Sequence, residues 1–468
     1  MENLSTPNQE EAFRDSLATV TSEGKRKWIF PKKPSGRFHT VRSILSIFLL
    51  IFLFGAPFVK IGGHPLLLLN VVDRHFIIFG VPFGPHDLYL FALIMIAFIV
   101  SVFLFTVVYG RLFCGWVCPQ TVFMEMVYRK IEYWIEGDWQ KQKALKSTAW
   151  NGEKIFKKTS KQIIFFAISF LIANTFLSYI IGVDKLYIFI ADGPGKHFGT
   201  FLAVAIFSGL FYLVFSRFRE QACTLVCPYG RLQGVLLDQN SVVIHYDYKR
   251  GEPRGKLNKD EPSSIGDCID CHQCVDVCPT GIDIRNGTQL ECINCTACID
   301  VCDSVMTKIS KPNGLIRYAS KTQIETGIQP LFTPRAIGYT VVLFLLIALI
   351  TVLLIKRTQV ELSVLRTPGM LFQEQPGEKL SNIYDLKLVN KTFNNFRVRL
   401  ELENINGEIK IIGRELSLEP QGVTEAKFLV ILPKADIKLL KTPIKIAVKS
   451  GSETLDVINT AFLGKVTK

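Results

Sequence analysis

The stretch "CIDCHQCVDVCPTGIDIRNGTQLECINCTACIDVC", residues 268–302, decides how the chain is read. Its first four cysteines, Cys268, Cys271, Cys274 and Cys278, follow the spacing C-x2-C-x2-C-x3-C and are closed by Pro279. Cys292, Cys295, Cys298 and Cys302 repeat that spacing, with Asp303 where the first run has proline. Eight cysteines in two such runs predict two [4Fe–4S] clusters, because thiolates supply both the charge and the soft donor atoms that iron–sulfur cubanes need. Paired-ligand zinc motifs do not account for the doubled pattern. Gly281 and Gly287 fall in the connection, where tight turns are expected. All twelve cysteines lie between Cys114 and Cys302. That clustering fits reduced, metal-binding thiols rather than a secreted disulfide scaffold.

Outward from this region the chain becomes strongly apolar. Hydrophobic residues make up 49% of the 468, and Phe alone occurs 35 times. Five runs approach the ~20 apolar residues that a bilayer-spanning helix requires: about 41–60, 88–109, 162–182, 198–216 and 337–355. The first begins too late and runs too long for a cleavable signal peptide. The formal charge of +13 is unevenly placed. Arg14, Lys25, Arg26, Lys27, Lys32, Lys33, Arg37 and Arg42 precede or open the first run, and ten further Lys and Arg lie between the second and third. The alternate connections are poor in base, with Arg74 in one and Lys185 and Lys196 in the other. The positive-inside rule then places the N-terminus and the cysteine-rich region in the cytoplasm and the C-terminal part outside. The charge thus has a membrane explanation, and no aromatic–basic interleaving points to nucleic acid. No G-x-G-x-x-G sits between a strand and a helix, so nicotinamide or flavin binding has no support.

Two shorter motifs stand at the ends of the second and fourth runs. "CGWVCPQ" (114–120) and "CTLVCPY" (223–229) both read C-x3-C-P. If each helix continues, Cys114 and Cys118 share one face, as do Cys223 and Cys227, and Pro119 and Pro228 end or bend the helices. Both runs cross in the same direction, so the pairs reach the same level. A "YGRL" element precedes the first pair and follows the second. Four converging thiols suit Cu(I), a further iron–sulfur cluster or a reducible disulfide pair; Cu(I) favours thiolate and thioether donors. Met124 and Met126 are candidate thioethers, although methionines there also suit a helix interface. Glu125, Arg129 and Arg231 are candidates to tune the local charge. The competing reading is four small packing residues. The connection 61–87 is apolar but interrupted by His64, Asp73, Arg74, His75 and His86; it reads as an interfacial or re-entrant segment, with a quinol or metal site as the functional alternative. Asp192 and His197 are read with the same caution.

After residue 357 the pattern alternates, in "VELSVL" (360–365), "YDLKLV" (384–389), "FRVRLELE" (396–403), "AKFLVIL" (426–432) and "IKIAVK" (444–449). Asn406–Gly407 reads as a hairpin turn, and the whole as a β-sandwich. The fold class is therefore a multidomain α+β membrane protein. The expected layout is a flexible cytoplasmic tail (1–35), a membrane domain with four helices and both C-x3-C-P motifs (36–245), and a ferredoxin-like domain (246–330). A fifth transmembrane helix (331–357) and an outer immunoglobulin-like sandwich (358–468) follow.

Residues 268–302 resemble the bacterial two-cluster ferredoxin module, whose ligation crosses over. The resemblance implies one cluster on Cys268, Cys271, Cys274 and Cys302, and another on Cys292, Cys295, Cys298 and Cys278. From about residue 25 onward the order of parts is similar to the CcoG/FixG/RdxA family, accessory proteins for assembly of cbb3-type cytochrome c oxidase. That resemblance implies a cupric reductase of the bacterial inner membrane, converting Cu(II) to Cu(I), with Cys114, Cys118, Cys223 and Cys227 as the copper or redox positions. The implied partners are copper chaperones or transporters, immature oxidase and membrane lipid, with the electron donor left open and no nucleic acid. Two other readings stand beside it: a quinol-oxidising electron-transfer subunit with a pocket near His64, His75 or His86, and a non-catalytic assembly scaffold.

Overall fold

A helix rises about 1.5 Å per residue, so a ~30 Å hydrocarbon layer needs about 20 residues. Among the described residues, five helices are long and apolar enough to cross a membrane: Arg37–Phe58, Pro85–Tyr109, Gly152–Ile181, Phe198–Phe218 and Pro334–Ile355. The computed structural model describes residues 18–20, 23, 25–71, 74–256, 265–329, 332–369, 371–413 and 415–465. Arg14, Asp73 and most of the predicted tail lie outside them. The described part of that tail corrects the expectation of a free segment up to residue 35. Arg26 pairs with Glu220 at 3.2 Å, Tyr133 donates to the Pro31 carbonyl, and the Lys32 amide bonds to the Asp276 carbonyl at 2.7 Å. Apolar Trp28 and Phe30 among the bases give this segment something to pack with: the Arg26 guanidinium sits over the Trp28 ring.

The chain forms two compact units, residues 1–58 with 95–347, and 59–94 with 348–468. In the first, the helices Arg37–Phe58, Gly152–Ile181 and Phe198–Phe218 meet around buried Phe123, Met124, Tyr128, Phe165, Ile172 and Phe215. The helix Gly152–Ile181 starts at Asn151, whose side chain accepts from the Lys154 amide. The amphipathic helix Val183–Asp192 was not expected; it is too short to register as a span. The ferredoxin-like part contains the antiparallel pair Val243–Tyr246 and Ile316–Ala319 and the helices Gln273–Asp276 and Ala297–Lys308. Its core joins Ile244, Tyr246, Ile299 and Leu315 to Cys268 and Cys274.

In the second unit, one sheet runs in the order Glu408–Ile412, Val423–Pro433, Lys379–Asn390, Val360–Arg366, and another in the order Arg399–Leu402, Lys441–Ser450, Glu453–Leu463. Alternation does the work: Val360, Leu362 and Val364 are buried while Glu361 and Ser363 are less so. Asn406–Gly407 does not close a hairpin. The strand before it pairs with Lys441–Ser450 and the strand after it with Val423–Pro433, so the chain there switches sheets. The connection before the second spanning helix has its own structure. It folds into short antiparallel strands, Leu67–Asn70, His75–Ile78 and Val81–Phe83 among them. Asp87, fully buried, anchors it by accepting from Arg357 at 2.8 Å and Lys391 at 2.8 Å.

Candidate functional site

The two cysteine runs of the ferredoxin-like part fold alike. Asp270 and Asn294, each just before the second cysteine of its run, have φ 52 and 54, and His272 and Thr296, each just after, have φ 55 and 66. Asp and Asn enter this left-handed region at lower cost than other side chains. The turn lets consecutive thiols face a common centre before the helix begins. One cavity is lined by Cys268, Cys271, Cys274 and Cys302, with Tyr246 and Arg285. Arg285 braces it through Asp283 at 2.6 Å and through Asp270. Burial pushes the Cys302 thiol up to about 12, with Asp303, Cys268 and Cys271 adding to the rise. Burial raises Cys298 strongly, and Cys295, Cys292, Cys278 and Cys274 add to it. Each four-thiol set therefore lies within electrostatic reach, and each supplies the donors one [4Fe–4S] cluster takes. Such buried thiols stay protonated at neutral pH; bound iron deprotonates its ligands outright.

The C-x3-C-P pairs are positioned differently from the continuous helix expected. The second spanning helix stops at Tyr109. Gly110 then takes φ 56, and Cys114 lies in a short helix, Leu112–Trp116. Cys118 and Cys227 are instead N-caps, with Pro119 and Pro228 in the first turn of the helices that follow. Proline is favoured there because its missing N–H would be unpaired in any case. The prolines therefore start helices rather than end them. π-helical turns at Val122–Tyr128 and Val214–Phe218 flank the two pairs and a third, Ala222–Val226, carries Cys223; such turns concentrate at functional sites.

The pairs nevertheless converge. Burial, then Cys118, Cys114 and Cys227 together, push the Cys223 thiol up to about 12. Cys114 is pushed up to about 11 by burial, partly offset by the Gln233 amide, which donates to its sulfur at 3.2 Å. Cys118 is also raised by burial. This centre abuts the second cysteine run. A Cβ on Gly115 would strike the backbone of Ile293 and Asn294, so only glycine allows that approach. Arg42 donates to the Gly115 carbonyl at 2.6 Å. Arg111 donates to the carbonyls of Gly230, at 2.8 Å, and of Leu290. Trp116 donates to the Tyr318 hydroxyl at 3.1 Å, and that hydroxyl to the Asn294 carbonyl at 3.3 Å.

Sequence reasoning missed Arg42, Arg111, Gly115 and Gln233. The repeated "YGRL" was the available signal for Arg111, yet the two copies diverge: Arg111 is buried and Arg231 exposed. Met124 belongs to the helix core, and Met126 accepts from Ser43 at 3.8 Å. Glu125 pairs with Arg129 at 3.0 Å. The histidines are not gathered: His64 stacks on Phe393 at 3.5 Å, and His197 bonds Asp192 at 3.2 Å. Among the described residues, no three His, Cys, Asp or Glu side chains close around a point as the ligands of a single ion do.

Three family models match the chain: a 4Fe-4S binding domain at residues 91–142, a 4Fe-4S dicluster domain at 218–321, and the Ig-like fold at the C-terminus of FixG, putative oxidoreductase, at 350–465. Protein RdxB of Cereibacter sphaeroides is 34% identical over 390 residues, covering 80% of this chain and 81% of its own. The chain belongs to the FixG/RdxA family. The nitrogen fixation protein FixG of Rhizobium meliloti is 31% identical over 466 residues, with 88% and 87% covered. Protein RdxA of Cereibacter sphaeroides is 34% identical, with 81% and 83% covered. A solved FixG-related protein from Vibrio parahaemolyticus aligns with 23% of this chain and 99% of its own at 21% identity and TM-score 0.20. This FixG/RdxA chain is thus a multi-pass membrane protein of the oxidoreductase and electron-transfer type, with two 4Fe-4S binding domains and an Ig-like C-terminal domain.

Proposed function

We propose that the chain is a cupric reductase that passes single electrons to Cu(II), releases Cu(I), and so supports copper delivery to cbb3-type cytochrome c oxidase during assembly. The observation that carries this reading is the contact between the four-thiol centre and the second cysteine run through Gly115. Cys268, Cys271, Cys274 and Cys302 would hold one cluster, and Cys278, Cys292, Cys295 and Cys298 the other. When bound, these groups supply one-electron chemistry, which matches the single electron separating Cu(II) from Cu(I). Cys114, Cys118, Cys223 and Cys227 form the outlet. Soft sulfur stabilises Cu(I) over harder ions, and either direct copper ligation or a redox group held by these thiols would serve. Arg42 and Arg111 fix the outlet against the cluster loop and place positive charge beside anionic thiolates. A soft Cu(I) product calls for a receiving copper chaperone or transporter. The basic flanks support an orientation with the N-terminus and ferredoxin-like part in the cytoplasm and the sandwich in the periplasm.

The test is anaerobic reduction of Cu(II) by the pre-reduced, purified full chain, with Cu(I) trapped by a specific chelator. Rapid Cu(I) formation in the wild type and its loss in Cys114→Ala/Cys118→Ala are expected. An inert wild type would overturn the copper assignment, and an undiminished double variant would overturn the outlet.

A further inference from the structure

The spanning helices Gly152–Ile181 and Phe198–Phe218 pack side by side, and a cavity of about 600 Å³ opens between the start of the first and the end of the second. That volume lies within the ~300–1,000 Å³ of small-molecule sites. Its rim is basic: Lys146, Lys154, Lys158, Lys161 and Arg217 line it, against the single carboxylate of Glu132. Glu132 is already taken by Arg219 at 2.5 Å and Lys161 at 3.4 Å. Glu136 is likewise taken by Lys158 and Lys161, at 2.8 Å each. Lys146, Lys154 and Arg217 are left without a carboxylate partner among the described residues. Lys154 decides the sign of the occupant. It is 7% exposed, and lysine is almost never fully buried unless paired. Its ammonium donates to the carbonyls of Lys146, at 3.2 Å, and of Thr148, and lies 5.1 Å from the Trp150 ring centroid. None of these partners carries a negative charge. An ammonium has three donors, so one remains for an anion.

The cavity changes character with depth. The helix Gly152–Ile181 has 30 residues, about 45 Å at ~1.5 Å per residue, whereas the hydrocarbon layer is ~30 Å thick. Its lysine-bearing first turns therefore stand at headgroup level. Four residues beyond Lys161 the lining becomes apolar with Phe165, and on the neighbouring helix Leu213 lies four residues before Arg217. Leu213 is 47% exposed, so that end is not closed over by protein. Trp150 stands exposed on the basic rim, and Trp suits the membrane–water interface. A soluble phosphate ester matches the basic rim alone. A molecule with a negative head and apolar tails matches both ends, and basic pockets between spanning helices suit anionic lipid headgroups.

We propose that this cavity is a specific site for one anionic glycerophospholipid, its phosphate held by Lys146, Lys154 and Arg217 and its acyl chains leaving past Phe165 and Leu213. The site shares no residue with the four-thiol centre and does not depend on what that centre reduces. The bound lipid joins the ends of two spanning helices to the segment that carries Lys146, so it stabilises the bundle as any ligand of the folded state does.

The experiment is thermal unfolding and native mass spectrometry of the full chain in detergent, titrated with phosphatidylglycerol, phosphatidylcholine or glycerol 3-phosphate. Phosphatidylglycerol should raise the unfolding midpoint saturably and remain bound at about one per chain; phosphatidylcholine should do neither. Lys146→Gln/Arg217→Gln should weaken the phosphatidylglycerol titration about 30-fold, at about fivefold per basic residue. Lys141→Gln/Lys143→Gln, exposed and outside the cavity, should leave it unchanged. Equal shifts from the two lipids, or an undiminished Lys146/Arg217 double variant, overturn the proposal. An equal loss in the Lys141/Lys143 pair would mean a diffusely basic surface and overturn the site. An equal shift from glycerol 3-phosphate would assign a soluble phosphate ester and overturn the lipid. The wild-type comparison of the two lipids decides the matter even if a variant folds poorly.

Discussion

Glu132 is the residue whose neutralisation should most weaken the helix bundle. It is 3% exposed, accepts from Arg219 at 3.0 and 2.5 Å, and sits 3.4 Å from Lys161. Around it Lys161 and Lys158 also reach Glu136, each at 2.8 Å, and Arg129 joins Glu125 and Glu220. Burial alone would push the Glu132 carboxyl up, but Arg219, Lys161 and Arg129 together outweigh it and hold the group at about 2. A fall from an ordinary 4.5 to about 2 corresponds to about 3 kcal/mol, at ~1.4 kcal/mol per pH unit. That agrees with the ~3–5 kcal/mol expected when one partner of a buried pair is removed and the other charge left behind. The sign follows from the depressed value. The stabilisation is fully present above the unfolded pKa near ~4.3 and drains away as pH falls towards about 2. Glu132→Gln in detergent or nanodiscs should therefore lower the unfolding midpoint clearly at pH 7. The gap to wild type should narrow as the pH drops below ~4.5. Replacing Arg219 with Met in the same chain should recover part of the loss, because it removes the stranded guanidinium. A Glu132→Gln protein with the wild-type midpoint at pH 7, or a gap that widens on acidification, would refute the reasoning.

Gly115→Ala should cost about 1–3 kcal/mol through overpacking against Ile293 and Asn294 and alter the EPR signal of the reduced second cysteine run, while leaving the first unchanged. Asn294→Asp should keep the iron of that run because aspartate tolerates the left-handed turn; Asn294→Val should lose it, since a β-branched residue at φ 54 is a genuine outlier, and iron analysis tells the two apart. Asp300→Ala removes the carboxylate that accepts from the amides of Phe38 and His39 at 3.0 and 2.7 Å; it should cost about 1–2 kcal/mol, as loss of a helix cap does, and speed hydrogen exchange in that first turn. Asp87→Asn should destabilise the second unit by roughly 3 kcal/mol or more, since Arg357 and Lys391 would lose their shared buried partner; limited proteolysis of that unit reads the loss.

What the sequence disclosed follows from which forces act locally. Apolar run length and strand alternation need no partner, so the five long helices and most sandwich strands were legible, as were the eight spaced cysteines. The Asn406–Gly407 turn misled because a local turn signal cannot say which sheet the next strand joins, and that is settled by pairing with Val423–Pro433. The prolines misled for a related reason: a proline breaks a helix interior but suits the first turn, and φ 56 at Gly110 ended the helix before Pro119 could. The partners of polar groups in the connection 61–87 were not visible in the sequence. Asp87 finds two of them, Arg357 and Lys391, some 270 and 304 residues away in the chain. The four-thiol centre shows the same limit at its sharpest. Each C-x3-C-P is visible as a half-site, but what joins them is not: Gln233 donates to the Cys114 sulfur, and Gly115 lets its segment meet the backbone of Ile293 and Asn294. Arg111 then ties the Leu290 and Gly230 carbonyls together. Those contacts join segments over a hundred residues apart, and they turn two short motifs into one centre beside an iron–sulfur run.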